Sequence, residues 1–460
     1  MLFVRPHRAA TGLLSMRAGA LGLVVVLALA FAFAPAPALA GTVTVITSFP
    51  KELTQAYKTA FEKANPSIKL EVLNKNTVQG MAYVRELPVG QRPEVFWASA
   101  PDAFEVLAAN KLLDNVADLA NPAAPTKVGS YPINDPRGLY LGQALAGYGL
   151  MWNTRYIAAN KLTAPAQWVD LTQAAYFGHV AMSSPSRSGT THLTVETLLQ
   201  GEGWDKGWGQ LLQIAGNCAA ITERSFGVPD GVNNGQFGIG LVIDFFGLAG
   251  KYSGFPVEFV YPSLTAVVPA NIGLVSGSKN PAEARRFIAF AVSNEGQELL
   301  LDPKISRLPI LPPEQMKGKV PAGYPNPFEI AKRAKLRFDS DLSEARYNLV
   351  SGVFDQTITF RLKELQAATK AIHEADALLA KKPNPAAALL LKQARVAAFS
   401  PVIGPGMASD KNFLALFTAN KKDAAVNKQL TGLEDRWNSA ARDNYARAKT
   451  LAEQAAHLVR

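Results

Sequence analysis

Val180-Ala181-Met182-Ser183-Ser184-Pro185-Ser186-Arg187-Ser188-Gly189-Thr190-Thr191-His192 is the stretch on which the fold assignment turns. The apolar run Val180-Ala181-Met182 reads as a strand, and Leu193 to Leu199, apolar at 195, 198 and 199, has helical spacing. Strand, polar loop and helix in succession are the unit of an α/β protein. Ser, Thr and Gly at the mouth of a helix leave its first backbone N–H groups free and pointing outward. With the positive end of the helix dipole and the hydroxyls of Ser184, Ser186, Ser188, Thr190 and Thr191, those donors make a pocket for an anion. Arg187 would add a forked, charge-assisted contact to a phosphate or carboxylate. The same residues also fit an ordinary capped helix after a polar loop.

On the N-terminal side the pattern repeats. Strands are expected at Thr42–Ile46, Ile68–Leu73 and Pro93–Ala98, each followed by a helix: from Lys51, after Asn74–Thr77, and through Leu107. Each strand hands over to Ser, Thr or Asn at its carboxyl end, the edge where open α/β sheets place ligands. Leu139 to Asn153, extended and punctuated by glycine, looks like a strand crossing to a second unit. That unit has helical turns at Trp168–Ala175, one or two helices from Thr190 to Gln213, strands at Cys218–Thr222 and Phe237–Ile243, and a helix after Asp244. Val257–Pro262 reads as the return crossing, Ala266–Val275 as a strand and Pro281–Leu301 as an amphipathic helix. The expected organisation is a first lobe of residues 41–150 plus 266–330 and a second of 151–265, with crossing segments near 139–153 and 254–265. Residues 331–460 carry two apolar stripes, Phe354 to Leu379 and Leu433 to Ala455, and form a helical C-terminal region that should dock on this frame.

The ends and the charge set the context. Arg5, Arg8 and Arg17 precede an apolar run from Leu21 to Phe33, and Ala38-Leu39-Ala40 offers a small-x-small cleavage site, so residues 1–40 read as a secretory signal peptide. Gly41 rather than a cysteine directly follows the cut, so no lipid anchor is expected there, and the single Cys218 excludes an intramolecular disulfide, which suggests a soluble protein of the bacterial periplasm. Removing residues 1–40 leaves 44 bases against 37 acids, a scattered excess that suits a small anionic ligand better than nucleic acid.

At Ser48-Phe49-Pro50, Ser183–His192, Ala215-Gly216-Asn217, Arg224-Ser225-Phe226-Gly227-Val228, Val242-Ile243-Asp244 and Phe354–Leu362 the chain resembles the type II periplasmic solute-binding proteins. The resemblance is to the branch that serves ferric iron, phosphonates and sugar phosphates, and covers roughly residues 42–380. It implies a two-lobed α/β clamp, here with a helical C-terminal extension, closing on a phosphorylated three-carbon acid such as phosphoglycerate or on a sugar phosphate. It implies delivery to the membrane permease of an ABC importer, or presentation of the closed form to a membrane sensor kinase.

Ser48, Ser99 and Thr190 are strand-end or helix-start hydroxyls placed to face one cleft, although each could simply cap a helix. Ser225 and Asp244 end the next strands of the second lobe; Asp244 would accept a ligand hydroxyl or cap its own helix. Arg224, unlike Arg187, lies outside the anion-loop motif. Tyr148 fits the cleft or hinge packing equally, His192 reads as packing behind the site, and Trp204 with Trp208 as core. No G-x-S-x-G elbow, H-E-x-x-H or G-x-x-x-x-G-K-[ST] loop occurs, so an enzyme is not expected and a hydrolase is a weak alternative. The adjacent tyrosines a ferric site of this branch would use are missing, which disfavours ferric ion. A monomer without metal or cofactor is expected.

Overall fold

The computed structural model describes residues 41–418 and 423–460. The signal-peptide reading falls on residues 1–40 and lies outside them.

A ten-stranded sheet organises the chain. Its strands are β1 (Gly41–Thr47), β2 (Ile68–Asn74), β3 (Val95–Ala98), β4 (Leu141–Asn153), β5 (Val180–Ser183), β6 (Cys218–Thr222), β7 (Ile239–Ile243), β8 (Val257–Val260) and β9 (Val267–Val275), with the short Leu113–Asp114. The spatial order is β2-β1-β3-β9-β4-β7-β5-β6, with β8 added on β4 and Leu113–Asp114 on β9. β1 and β3 run parallel, Val45 opposite Val95. β5 is parallel to both β6 and β7. The parallel strands are joined through helices, as the periodicity required.

β4 belongs to both halves of the sheet. Its first part pairs antiparallel with β9, Gly147 opposite Val267, and its last part with β7, Tyr148 opposite Ile243. Burial on both faces explains why it reads as a long apolar run without alternation. Its glycines admit close neighbours: a Cβ on Gly149 would lie 2.1 Å from the Val260 carbonyl oxygen of β8. The return differs in detail from the expected crossing at 254–265. Val257–Val260 still pairs with β4, and β9, which also pairs with β3, carries the chain back into the first half.

Each half has its own core. Val45, Phe61, Leu70, Trp97 and Phe287 pack together in the first. In the second, Trp208, Leu211 and Leu212 share one core with Phe354, Leu365, Ile372, Trp437 and Tyr445. The C-terminal helices, Leu362–Lys381, Pro385–Phe399 and Ala424–His457, therefore dock on the second half. Approach is close: a Cβ on Gly216 would meet the Thr369 hydroxyl at 2.1 Å. Two helical expectations change locally. Pro281–Leu301 is two helices, Pro281–Val292 and Asn294–Leu299, because Ser293 breaks the first and caps the second through the Gly296 N–H. The stripe from Phe354 passes through a π-helical turn, Asp355–Thr359.

Candidate functional site

Four helices begin around one cavity: α1 (Lys51–Ala64), α2 (Thr77–Glu86), α3 (Pro101–Ala109) and α4 (Gly189–Glu202). The first three follow strands β1, β2 and β3, and α4 follows β5, so the cavity sits at the strands' carboxyl ends. The residues before α1 and α3, Pro50 and Ala100, supply no side-chain cap. Their leading N–H groups and the converging dipoles make the local potential favourable to an anion. The cavity holds about 360 Å³ of space between atoms, its open mouth included.

Six of the residues read from the sequence line it: Ser48, Ser99, Arg187, Ser188, Thr190 and Ser225. They come from both halves, which places the cavity in the cleft between them. Asn76 and Thr77 join them, from the polar stretch after β2, and so do Phe49, Phe245 and Arg224. The same strand-end rule that singles out Ser48 would have found Asn76 and Thr77.

Ser184, Ser186, Thr191 and Asp244 are not among the lining residues, and their polar atoms are engaged elsewhere. Ser184 is fully buried; its hydroxyl donates to Asp355 at 2.7 Å and pairs with the Ser186 hydroxyl at 2.8 Å, tying the loop to the C-terminal region. Thr191 lies within the first turn of α4, buried, and its N–H donates to Ser188 Oγ at 3.2 Å. The Asp244 carboxylate accepts from the N–H groups of Gly147 (2.6 Å) and Phe245 (2.8 Å) and from the Tyr261 hydroxyl (3.0 Å). It thus clamps β4 to the start of its own helix, and burial pushes its pKa up to about 7.

The charges also redistribute. Arg187 donates to the exposed Glu223 at 2.7 Å, which offsets part of its charge. Arg224 reaches across the cleft to Asn74 Oδ1 at 3.1 Å and lies 4.8 Å over the Phe226 ring. Arg307, absent from every motif, is 1% exposed and has no carboxylate within ion-pair distance among the described residues. Its guanidinium sits between two rings that line the cavity, 4.0 Å from the Phe49 centroid and 3.7 Å from Phe245, one from each half. Nη1 donates to Ser99 Oγ at 3.1 Å, and Nη2 has no partner. Burial lowers its pKa to about 9, which leaves it charged at neutral pH.

Behind the cavity the two halves touch a third part of the chain. Asp102 of α3, His192 of α4 and Ser343 of the helix Ser340–Ala345 meet in a fully buried cluster. Ser343 Oγ donates to Asp102 Oδ2 at 3.0 Å and lies 3.2 Å from His192 Nε2. One turn on, Arg346 makes a bidentate pair with Glu196 at 2.8 and 2.7 Å. The Ser–His–Asp grouping is not a hydrolase site: all three side chains are sealed at 0% exposure, and Tyr347 stacks on the imidazole at 4.0 Å. Burial holds His192 down to about 4, so it stays neutral.

Two α/β halves, one shared strand and a cleft lined by helix N-termini define a two-lobed binding protein. The chain belongs to the bacterial extracellular solute-binding protein family, whose model matches residues 91–337. It is 31% identical over 396 residues to the phosphoglycerate transport regulatory protein PgtC of Salmonella typhimurium, covering 84% of this chain and 92% of that one. The match is longer than residues 42–380, so the similarity runs beyond the range the motifs cover. An uncharacterized protein of Haemophilus influenzae is 27% identical over 194 residues, 41% of this chain and 53% of that one. The fold is that of the periplasmic binding protein AfuA of Actinobacillus pleuropneumoniae, solved with fructose-6-phosphate (TM-score 0.61, 18% identity, 69% of this chain and 99% of that one). Iron-bound HitA of Pseudomonas aeruginosa shares it at TM-score 0.54, 18% identity, 67% of this chain and 99% of that one. The chain therefore has a type II periplasmic-binding-protein fold with a helical C-terminal region. No group of three His, Cys, Asp or Glu side chains among the described residues is placed to hold a metal ion. No described helix is long and apolar enough to cross a membrane.

Proposed function

We propose that this solute-binding protein is exported to the periplasm with loss of residues 1–40. There it captures a small phosphorylated organic anion, of the phosphoglycerate or sugar-phosphate class, between its halves and hands it to the permease of an ABC importer. One observation carries the reading: a buried guanidinium, Arg307, has an unpartnered Nη2 and no carboxylate partner, beside a cavity ringed by helix N-termini. Such a group favours an anion with several acceptor oxygens. Ser48, Ser99, Ser188, Thr190 and Ser225 supply further donors and define the orientation. The name of the Salmonella relative supports a second use, presentation of the loaded form to a membrane sensor kinase that regulates uptake.

Calorimetry with phosphoglycerate, fructose-6-phosphate and their dephosphorylated counterparts tests the ligand class. Each phosphorylated compound that fits should bind at least about a hundredfold tighter than its counterpart, since unmatched buried donors are costly. Equal affinities for glycerate and phosphoglycerate would refute the proposal. Loss of uptake in a deletion strain supports the importer role; unchanged uptake with lost ligand-dependent induction supports the sensor role.

A further inference from the structure

Helix Pro385–Phe399 turns one face inward, burying Ala387, Leu391, Ala394 and Ala398. Its opposite face exposes two large apolar side chains. Leu389 is 58% exposed and Val396 60%, seven residues apart and thus on one stripe two turns long. Between this helix and Ala424–His457 runs a groove of about 850 Å³, open mouth included, lined by Leu389, Val396, Lys392, Asn444 and Arg447. The helix carries no acidic residue. Arg395 is neutralised by Asp376, but Lys392 and Arg447 have no carboxylate partner among the described residues.

We propose that this groove docks an acidic amphipathic helix of a partner protein, with apolar residues on Leu389 and Val396 and carboxylates on Lys392 and Arg447. The shape selects a ridge: a concavity between two helices accepts a third helix, whereas a lipid surface is flat. The charge selects its sign, because two unneutralised bases flank an apolar stripe. A second copy of this chain fits badly, since a two-fold contact through the groove would set Lys392 and Arg447 against their own equivalents. The surface lies on the helical region that docks on the second half, so a partner there would leave the anion cavity clear. The proposal does not depend on what that cavity holds.

A photo-crosslinking residue placed at Leu389 or Val396 of the full chain, in its native host, tests this directly, with mass spectrometry of the joined peptides. The expected product joins the groove to one helical segment of another protein, rich in Asp and Glu beside an apolar stripe. The double charge reversal Lys392→Glu with Arg447→Glu should reduce the yield at least about tenfold while leaving anion affinity unchanged, which shows that the variant still folds. Cross-links to lipid, to a second copy or to a segment without carboxylates would overturn the proposal. So would a yield no higher than from the equally exposed Val169, or one insensitive to the charge reversal.

Discussion

Arg307 holds a positive charge where water cannot reach it, and its neighbours offset that cost incompletely. Two rings contribute cation–π attraction and Ser99 accepts one hydrogen bond, yet Nη2 remains without a partner. The Asp244 carboxylate, beyond ion-pair distance, offsets part of the charge, and a phosphate oxygen would supply the missing acceptor and further negative charge. Replacing Arg307 with Met should therefore raise the melting temperature of the ligand-free protein while lowering anion affinity by one to two decades, the loss of a charge-assisted bond of about 1.5–3 kcal/mol. Arg187→Ala should cost less than Arg307→Met, because Glu223 already accepts from it. Calorimetry and thermal unfolding of both variants give the two readouts together; an Arg307 variant that is destabilised yet binds normally would show a structural arginine only. The loop of Ser184 to Thr191 advertised an anion by composition, and part of it does line the cavity. Arg307 sent no such signal, because Ser306-Arg307-Leu308-Pro309 resembles any surface turn until the sheet brings it beneath Ser99. Asp244 read as ligand or cap, with the cap favoured, and its clamping role was hidden for a similar reason: the donors that occupy it, Gly147 and Tyr261, are remote in sequence.

At the scale of elements, α3, α4 and Ser340–Ala345 are joined by the Asp102–Ser343–His192 cluster, and titration reports on that junction. Burial raises Asp102 to about 7 from the usual carboxylate value, so the folded protein takes up a proton there that the unfolded chain releases. A carboxyl raised in this way contributes its stabilising effect at low pH and loses it as pH rises through about 7. His192, held near 4, acts in the opposite direction below about pH 7, because the unfolded imidazole takes up a proton there that the folded one does not, so its contribution rises with pH and partly offsets the fall. Between about pH 6 and pH 8 Asp102 alone should thus lower stability with rising pH by an amount on the order of 1 kcal/mol, read as the difference between the unaltered protein and Asp102→Asn. Asp244, also raised to about 7, adds in the same direction. Asp102→Asn should flatten the profile by its share while keeping an acceptor for Ser343; an unchanged slope would mean that Asp102 is ionised throughout. Periodicity made the strands and most helices legible, because local apolar spacing determines which face is buried. Ser340–Ala345 was not legible as a junction, and the π-turn at Asp355–Thr359 was not either. Both depend on contacts made across the fold, such as Asp355 accepting from Ser184.

The proposed clamp requires its halves to approach each other, and Gly189 lies on the seam between them. It opens α4 directly over the first half, where a Cβ would stand 2.6 Å from Ala100 Cβ and 3.1 Å from Thr77 Oγ1. Its N–H already lies 3.4 Å from Thr77 Oγ1, and the Arg224–Asn74 bond closes the same seam nearby. Nothing in the backbone demands glycine, since Gly189 is not among the residues with positive φ. Alanine is therefore acceptable to the helix itself, and removing a glycine from a helix lowers the entropy of the unfolded chain. The ligand-free protein should accommodate Gly189→Ala only by drawing its halves slightly apart at this seam, since in the present arrangement the methyl would already stand 2.6 Å from Ala100 Cβ. Holding the halves at the present approach around a ligand would press the methyl into Ala100, and overpacking of this kind costs about 1–3 kcal/mol. Affinity should fall by roughly one to two decades with the cavity residues all intact. Solution scattering separates this from a damaged site: saturating phosphorylated ligand should shrink the radius of gyration of the unaltered protein and shrink that of the variant less. A variant that binds weakly yet compacts fully would mean that Gly189 acts on the anion itself. Full affinity with full compaction would mean that the two halves do not bind by closing on each other at this seam.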